Sequence, residues 1–458
     1  MDYHAVIWTR RPEGPVKMGD LVVTPRETRF SYTEEYLELG PAAAGLALLS
    51  SQRLYGRNPV IFQARDAMPL HPRLMALIPG EGRRNIQRRI YSRILEKRPN
   101  PPATGFEMDW ELLLLTGHDG IGHLDLFRDD RTAEASYTRA AIMAPTPGNR
   151  SRFWKAIRDD VALDVELMDA EAVAELLGPT PSAGGMIPKL LVAIPDAPEW
   201  DGTFARPGTP EVEGRRFVEV VLKIEPSEYR GVAELEALCL ELHREVGFDV
   251  PRSWRATLDG LELLAVERFD FTAEGLPIPM ESLFSVFATG RRDFNSNQDT
   301  DLAEVGVWLE KLASVVNMDV RAVQREMYRR LCMAVCTGNG DMHLQNLSFL
   351  GGPEEVRLSP VYDPAPMRAW PQHDVRLAVP LDFDDAIGGF GENLVELGTK
   401  YGLTRKQAGE VLRWSLEVTD DYAERVQGLN AVPEERRHRL VTTVQRERDN
   451  LRTALSGG

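Results

Sequence analysis

Cysteine is scarce in this chain of 458 residues, which contains only Cys239, Cys332 and Cys336. Three cysteines cannot build the disulfide framework that stabilises many secreted proteins, so the pattern indicates a reducing compartment. Cys332 and Cys336 stand four residues apart in a helical pattern, and a metal site there would need a second pair of ligands that the sequence does not supply. We therefore predict that both are buried core thiols.

Long apolar runs and an excess of positive charge are also missing. No run approaches the length of a membrane span, and the first stretch, MDYHAVIWTRR, carries charge early and has no apolar signal core. The expected location is the cytoplasm, without contact to a membrane. With 54 basic and 70 acidic residues, the net charge of -16 argues against a phosphate-binding surface spread over the whole molecule.

The length and the order of the sequence patterns predict an α+β protein of three parts. A chain of 458 residues with 43% hydrophobic and 27% charged residues is globular and too long for one simple core. Residues 1–150 combine short strand patterns with helices, which predicts a small β-rich domain with helices. Residues 151–270 are β-rich with one amphipathic helix, and residues 271–458 are mostly helical.

The stretch GNGDMHLQN, residues 338–346, carries the most specific chemical pattern. It follows a helical segment and precedes a short apolar strand, a Gly-Gly turn, a second strand and Asp363. Phosphoryl transfer from ATP needs one carboxylate at the attacking hydroxyl and oxygen ligands for Mg²⁺. Asp341 suits the first role. Asn346 and Asp363 suit the second, because two strands joined by a tight turn would return Asp363 to the side of Asn346.

A lysine and a glutamate precede this stretch in the order that a kinase requires. Lys223 alternates with Val220, Leu222 and Ile224 in a predicted strand, so it lies on the opposite face from these apolar residues. Glu236 follows in the next predicted helix. Lys223 is thus a candidate to contact the nucleotide phosphates, and Glu236 is a candidate to hold that lysine.

A glycine-containing turn and a short strand complete the candidate nucleotide site. The turn SAGGMIPK, residues 182–189, would bring backbone amides close to phosphate oxygens, although it is not a Walker A loop because GK[ST] is absent. The segment VERF would read the adenine edge through the main chain of Glu267 to Phe269. Each residue alone has a plain structural explanation, such as a solvated Lys223 or a surface Glu236. Their order along the chain favours the nucleotide site.

These motifs resemble the HipA-type serine/threonine kinases of bacterial toxin–antitoxin systems. GNGDMHLQNLSFL is similar to the catalytic stretch of that family, LSPVYD to its metal-binding segment, VVLKIEP to its ATP-contacting strand and LAVERFD to its hinge. DAIGGF resembles a later Ile-Gly-Gly turn, and the stretch that begins at Met18 resembles the small β-rich domain that precedes the kinase fold. The resemblance implies a protein-kinase-like bilobal fold with a β-rich N-lobe and an all-helical C-lobe.

The resemblance also implies a role for each candidate residue, with ATP and Mg²⁺ as cofactors. Asp341 would be the catalytic aspartate, and Asn346 and Asp363 would be the Mg²⁺ ligands. Ser182 would be a loop serine whose autophosphorylation silences the kinase. The candidate nucleotide contacts are Ser182, Gly184, Gly185, Lys189, Lys223, Glu236, Glu267, Phe269 and His343. A role in packing the catalytic turn is the alternative for His343.

The resemblance also implies partners, and this chain differs from the family motif at one position. Members phosphorylate a protein, in known cases an aminoacyl-tRNA synthetase, and are neutralised by a small helix-turn-helix antitoxin. The resemblance therefore implies a protein substrate, an antitoxin partner, and DNA contact only through that partner. The lysine that the family has before the catalytic asparagine is Gln345 here, so one positive charge near the transferred phosphate is missing.

Two other functions remain open from the sequence. Aminoglycoside and choline kinases carry a similar G-D-x-H-x-x-N stretch, which GDMHLQN fits, so a small-molecule phosphotransferase is one alternative. A catalytically weak corepressor that binds an antitoxin is the other. The β-rich first 150 residues and the Ile-Gly-Gly turn favour the protein kinase. The presence of Asp341, Asn346, Asp363 and Lys223 together argues against a binding module without activity.

Overall fold

A computed structural model of the chain describes residues 2–81, 85–142, 187–209, 211–212, 214–258 and 260–456. The chain divides into two compact units. The first comprises Met1–Glu228 and Pro251–Glu281, and the second comprises Tyr229–Val250 and Ser282–Gly458. The division into three parts that the sequence suggests stays a prediction. Among the residues that the structure describes, none of the helices combines the length and the apolar character that a bilayer crossing requires.

The first unit begins with a five-stranded antiparallel sheet in the order β4-β3-β2-β1-β5. Its strands are β1 Tyr3–Arg11, β2 Gly14–Val23, β3 Glu27–Tyr32, β4 Val60–Gln63 and β5 Asp125–Phe127. Its helices are α1 Glu34–Leu37, α2 Gln52–Tyr55, α3 Pro72–Met75, α4 Ile86–Glu96, α5 Phe106–Thr116 and α6 Asp130–Ile142, with a 3-10 turn at Leu48–Ser50. Alternate residues of the strands, such as Ile7, Met18 and Phe30, are fully buried because they face the helices and loops that cover one side of the sheet.

A second antiparallel sheet in the first unit has the order β6-β8-β10-β9, with β7 paired to β8. Its strands are β6 Lys189–Pro195, β7 Glu211–Val212, β8 Arg215–Ile224, β9 Ser253–Leu258 and β10 Leu261–Glu267. Val220, Leu222 and Ile224 of β8 are fully buried and pack in one cluster with Ile90 of α4 and Leu112 of α5. The alternation predicted for this strand is confirmed, and it leaves Lys223 on the other face of the sheet.

The second unit is built mainly from helices. These are α7 Val232–Glu245, α8 Leu283–Gly290, α9 Leu302–Leu312, α10 Val320–Thr337, α11 Phe390–Lys400, α12 Arg405–Val418, α13 Tyr422–Gln427 and α14 Glu434–Ser456, with 3-10 turns at Ser227–Tyr229, Met367–Ala369 and Pro371–His373. The strand β11 Met280–Ser282 precedes α8, and the strands β12 Ser348–Leu350 and β13 Arg357–Leu358 pair in an antiparallel hairpin. The sequence predicted this hairpin from its two apolar stretches and the Gly-Gly turn between them.

Helix α10 carries the core of the second unit and leads into the candidate site. The side chain of Asp319 accepts a hydrogen bond from the N–H of Ala322 and so caps the first turn of the helix. Cys332 and Cys336 are 0% exposed on this helix, which confirms their prediction as buried thiols. Burial, the largest cause, raises the pKa of Cys336 to about 11, so the thiol stays protonated and unreactive at neutral pH.

Candidate active site

The turn that ends α10 depends on two glycines. Gly338 has a left-handed backbone with φ of 78°, and its N–H donates to the carbonyl oxygen of Ala334, so it stops the helix. A Cβ at Gly340 would lie 2.1 Å from the carbonyl oxygen of Val375, which no side chain tolerates. Both glycines are therefore required for the chain to leave the helix and begin the candidate catalytic turn, residues 338–346.

Hydrogen bonds within the catalytic turn hold the main chain of Asp341 on both sides. The N–H of Asp341 donates to Oδ1 of Asn339 at 3.0 Å, and the carbonyl oxygen of Asp341 accepts from Nδ2 of Asn346 at 2.9 Å. The side chain of Asp341 remains 38% exposed. The carboxylate is thus presented to solvent from a fixed backbone, as a group that receives a proton from a bound hydroxyl requires.

Asn346 and Asp363 meet at the wall of one small cavity in the second unit. The cavity has a volume of about 20 Å³, and its lining includes Asn346, Leu347, Tyr362 and Asp363. Because the amide nitrogen of Asn346 donates to Asp341, its amide oxygen is the acceptor atom of that side chain. The hairpin therefore returns Asp363 to the vicinity of Asn346, as its spacing predicted.

The donor set formed by Asn346 and Asp363 fits a hard divalent cation. An amide oxygen and a carboxylate are ligands that Mg²⁺ accepts, and this ion keeps several waters and takes further oxygens from substrate phosphates. Within the described ranges, no group of three or more His, Cys, Asp or Glu side chains is arranged to hold a metal. A site built on Asn346 and Asp363 would therefore depend on water and phosphate oxygens for its remaining ligands.

Tyr362 and the hairpin fix the backbone that carries Asp363. The hydroxyl of Tyr362 lies 2.7 Å from Oγ of Ser348 and donates to the carbonyl oxygen of Gln345 at 2.7 Å. Burial, the largest cause, raises the pKa of Tyr362, so the phenol keeps its proton. Asp363 itself has a φ of 55°, a left-handed conformation that Asp tolerates better than most residues.

His343 lies within the catalytic turn itself, and its ring makes no close hydrogen bond to Asp341. Its Nε2 lies 3.8 Å from Oδ1 of Asp341, which is beyond hydrogen-bond distance. Its Nδ1 is buried and has no hydrogen-bond partner among the residues that the structure describes. This geometry agrees with the packing role considered for His343. Its role as a nucleotide contact stays a prediction.

A buried salt bridge next to the catalytic turn was not predicted from the sequence. Glu447 of α14 is 0% exposed, and its carboxylate lies 3.1 Å from Nη1 of Arg368 and 3.0 Å from Nε of Arg376. The N–H of Arg368 donates to the carbonyl oxygen of Gly338 at 3.3 Å. The stretch VQRERDN of α14 reads as a solvated charged helix, so only the fold reveals that one of its acids supports the turn.

Asn297 is a second residue that the sequence did not indicate. Its Oδ1 accepts from the N–H of Leu344 at 3.0 Å, and its Nδ2 donates to Oε1 of Gln345 at 2.9 Å. Asn297 therefore ties a loop between α8 and α9 to the catalytic turn. It occurs in an ordinary polar loop, FNSNQDT, which offers no sequence signal for this contact.

Replacing Gln345 by Lys is expected to raise the rate of phosphoryl transfer about two- to fivefold, because a unit charge near the surface contributes up to roughly 1 kcal/mol. Gln345 is exposed, and it occupies the position where the family has a lysine near the transferred phosphate. The turnover rates of Gln345→Lys and Gln345→Met test this, since both lose the bond from Asn297 and only Lys adds charge. Equal rates for the two variants would rule out the electrostatic role.

Lys189 and Lys223 lie directly opposite each other in the first unit. They are register partners on the neighbouring strands β6 and β8, so both side chains lie on the same face of the sheet. Lys223 is only 6% exposed, so the alternative of a solvated strand lysine is wrong.

The other candidate nucleotide contacts have different surroundings. Glu236 lies on α7 and is 2% exposed, so the alternative of a surface charge is wrong for this residue as well. Nε and Nη2 of Arg252 donate to the two carboxylate oxygens of Glu267 at 2.8 and 2.7 Å, and the N–H of Glu267 donates to the carbonyl oxygen of Arg252. Phe269 is half-buried after the end of β10. Ser182, Gly184 and Gly185 lie outside the described residues.

The carboxylate of Glu267 is thus paired with Arg252 of its own unit. Its two bonds to Arg252, together with the bond from Arg252 to Asp196, raise the pKa of the Arg252 guanidinium. The N–H of the next residue, Arg268, donates to the carbonyl oxygen of Glu219 at 2.8 Å. If this segment contacts adenine, it does so through main-chain groups other than these two N–H groups.

Comparison with known proteins identifies the fold and the family. HipA of Shewanella oneidensis, solved in complex with HipB and its operator DNA, matches 96% of this chain and 97% of its own with a TM-score of 0.63 and 16% identity. The predicted α+β, protein-kinase-like fold is therefore confirmed. The HipA-like C-terminal domain family matches residues 181–423, more than half of the chain, and the chain belongs to this family.

Two proteins from other bacteria are similar over part of the chain. A candidate kinase of Haemophilus influenzae is 29% identical over 209 residues, which is 40% of this chain and 60% of that protein. The candidate kinase Y4dM of Sinorhizobium fredii is 28% identical over 160 residues, which is 31% of this chain and 36% of that protein. The chain thus spans less than two thirds of the length of either relative.

Proposed function

We propose that the chain is an ATP- and Mg²⁺-dependent serine/threonine protein kinase. The observation that carries this proposal is the joint placement of Asn346 and Asp363 on one cavity, with Asp341 held in the same turn by the side chain of Asn346. Phosphoryl transfer by a kinase needs one carboxylate to orient the attacking hydroxyl. It also needs oxygen ligands for the metal, which here would be an amide and a second carboxylate.

The residues of the second unit would divide the reaction between them. The Asp341 carboxylate would orient the serine or threonine hydroxyl and accept its proton as the oxygen attacks the γ-phosphate. Asn346 and Asp363 would hold Mg²⁺, which, when bound, neutralises charge on the phosphate oxygens. The fixed backbone of Asp341 lowers the entropic cost of aligning the hydroxyl with the phosphate.

The residues of the first unit would contact the nucleotide. Lys189 and Lys223, whose side chains lie on the same face of the sheet, would bind phosphate oxygens. Glu236 would hold Lys223, and the main chain near Glu267 and Phe269 would contact adenine. Gly184 and Gly185 would offer backbone amides to the phosphates.

Regulation and partners follow from the same family likeness. Phosphorylation of Ser182 would add about -1.5 to -2 charge beside the nucleotide and so repel ATP. The Shewanella structure contains HipB and operator DNA, which supports a small HipB-like antitoxin as a partner of this chain. Contact with DNA would run through that partner, in keeping with the net charge of -16. A protein, with an aminoacyl-tRNA synthetase as one candidate, would be the substrate.

Labelled ATP separates this proposal from its alternatives. The purified chain and Asp341→Asn are incubated with γ-labelled ATP alone, with a bacterial lysate, and with amino sugars or choline. Label on a lysate protein and on Ser182, absent with the variant, supports the protein kinase. Label on the small molecule alone would replace it by a small-molecule phosphotransferase, and ATP binding without any transfer would point to a corepressor.

Replacing Lys223 by Met is expected to lower the transfer rate by roughly 10²-fold, the usual cost of removing one group that stabilises transition-state charge. Met has a side chain of similar length at this position, which is 6% exposed, so thermal unfolding reports what removing the proposed partner of the buried Glu236 costs in stability. Nucleotide affinity and turnover are measured beside thermal unfolding. Lys17→Met, the same change in strand β2, is the control, and equal activity of the two variants would contradict the role of Lys223.

A further inference from the structure

His243 is a buried histidine whose hydrogen bonding defines which ring nitrogen carries the proton. It lies on α7, is 4% exposed, and its Nδ1 is 2.6 Å from the carbonyl oxygen of Cys239, one helical turn earlier. A ring nitrogen this close to a carbonyl oxygen donates its N–H, so Nε2 is the acceptor in the neutral ring. Burial, the largest cause, lowers the pKa of His243 to about 4, which keeps the ring neutral.

The same histidine lines the cavity of the two candidate metal ligands. The wall of this space of about 20 Å³ includes the polar residues His243, Arg330, Asn339, Asn346 and Asp363, and apolar residues such as Met342 and Val361 line the rest. A space of this size holds one water, and a buried water needs two to four polar partners. The five polar side chains are enough to supply these partners, so the cavity meets both conditions.

The polar groups around the cavity match the bonding capacity of one water. Oδ1 of Asn339 accepts from the N–H of Asp341, so its NH₂ group is the donor end of that side chain. Nη2 of Arg330 donates to the carbonyl oxygen of Ser359 at 2.7 Å and Nε donates to Glu326 at 3.2 Å, so Nη1 is the Arg330 donor that the cavity can use. Nε2 of His243 and the carboxylate of Asp363 are acceptors. A single water can accept hydrogen bonds from Asn339 and Arg330 and donate its own two hydrogens to His243 and Asp363.

We propose that a single bound water in this cavity links Nε2 of His243 to the carboxylate of Asp363, which makes His243 a positioning residue for the metal ligand. The inference rests on the proposed function, in which Asp363 and Asn346 hold a divalent cation. Outer partners of metal ligands orient them and tune their affinity. The affinity for the cation would therefore depend on helix α7 through His243.

Binding of Mn²⁺ in the presence of ADP, followed by electron paramagnetic resonance, tests the inference without turnover. His243→Leu keeps much of the volume and removes the acceptor, so its affinity for Mn²⁺ should fall about 10- to 100-fold. His243→Gln keeps an acceptor and should stay within about threefold of the unmodified chain. In the transfer assay, the concentration of Mg²⁺ at half-maximal rate should rise for His243→Leu, while kcat at saturating Mg²⁺ changes little.

Two controls separate positioning from packing. Thermal unfolding is recorded for each variant, and His243→Met provides a second apolar side chain if His243→Leu does not fold. His123→Leu removes another buried histidine, whose Nε2 lies 2.9 Å from the carbonyl oxygen of Gly45, and should alter stability without altering Mn²⁺ affinity.

Three outcomes would overturn the inference. Unchanged Mn²⁺ affinity in His243→Leu would show that the water link has no role. Equal weakening in the Leu and Gln variants would show that only the shape of the ring matters. Absence of Mn²⁺ binding by the unmodified chain would refute the proposed function itself, and it is distinguishable because it precedes any substitution.

Discussion

Asn in place of Asp341 is expected to lower the rate of phosphoryl transfer by roughly 10²- to 10⁴-fold, the usual contribution of a positioned general base. Asn has nearly the same volume as Asp but cannot accept the proton of the attacking hydroxyl. The two hydrogen bonds that hold residue 341, at 3.0 and 2.9 Å, use main-chain atoms and should persist. Nucleotide and cation affinities should therefore remain close to those of the unmodified chain.

The comparison needs kcat, ATP affinity and the unfolding temperature for each protein. Asp449→Asn is the matched control, because Asp449 is a 73% exposed acid on α14, outside the candidate site. It should retain full activity. A transfer rate for Asp341→Asn within threefold of the unmodified chain would refute the role of Asp341, and a parallel loss of ATP binding would point to a damaged fold.

Asn in place of Asp363 is expected to raise the Mg²⁺ concentration needed for half-maximal transfer by at least about 100-fold. A direct ligand should matter no less than an outer partner, whose loss commonly costs about 10- to 100-fold in affinity. Asn lacks the negative charge that attracts the cation, although it keeps one oxygen. Because Asn also tolerates a left-handed backbone, the φ of 55° should not destabilise the variant.

Asp119→Asn is the control for this second substitution. Asp119 has a similar left-handed φ of 57°, and it lies in the first unit, where its carboxylate is 3.1 Å from Nη2 of Arg10. Its replacement should change stability through that ion pair and leave the Mg²⁺ requirement unchanged. The metal role of Asp363 fails if the Mg²⁺ titrations of Asp363→Asn and the unmodified chain coincide.

The local parts of the site were accessible from the sequence. Gly338 ends the helix because glycine readily adopts the left-handed conformation that stops a helix. The short spacing between Asp341 and Asn346 places both residues within one turn. The alternation of Val220, Leu222 and Ile224 depends only on the two-residue period of a strand. Such features involve neighbours within a few positions, so their geometry follows from the order of residues.

Contacts between residues that are far apart along the chain could not be predicted from the sequence. Glu447 belongs to a helix rich in charges and is nevertheless 0% exposed, because Arg368, 79 residues earlier, and Arg376 pair with it. Nothing in the pattern around Asn297 or His243 indicates that either residue reaches the surroundings of the catalytic turn. A side chain becomes buried or bonded through what packs against it, and local propensity does not encode that.

By itself, the sequence determined the types of side chain available for phosphoryl transfer and their order along the chain. The tertiary structure decided which of them share one cavity. Asp363 approaches Asn346 only because a hairpin folds back, and His243 joins them only because α7 packs in the same unit. The physical reason is that covalent spacing limits distances over a few residues, whereas burial and charge pairing select contacts across hundreds of positions.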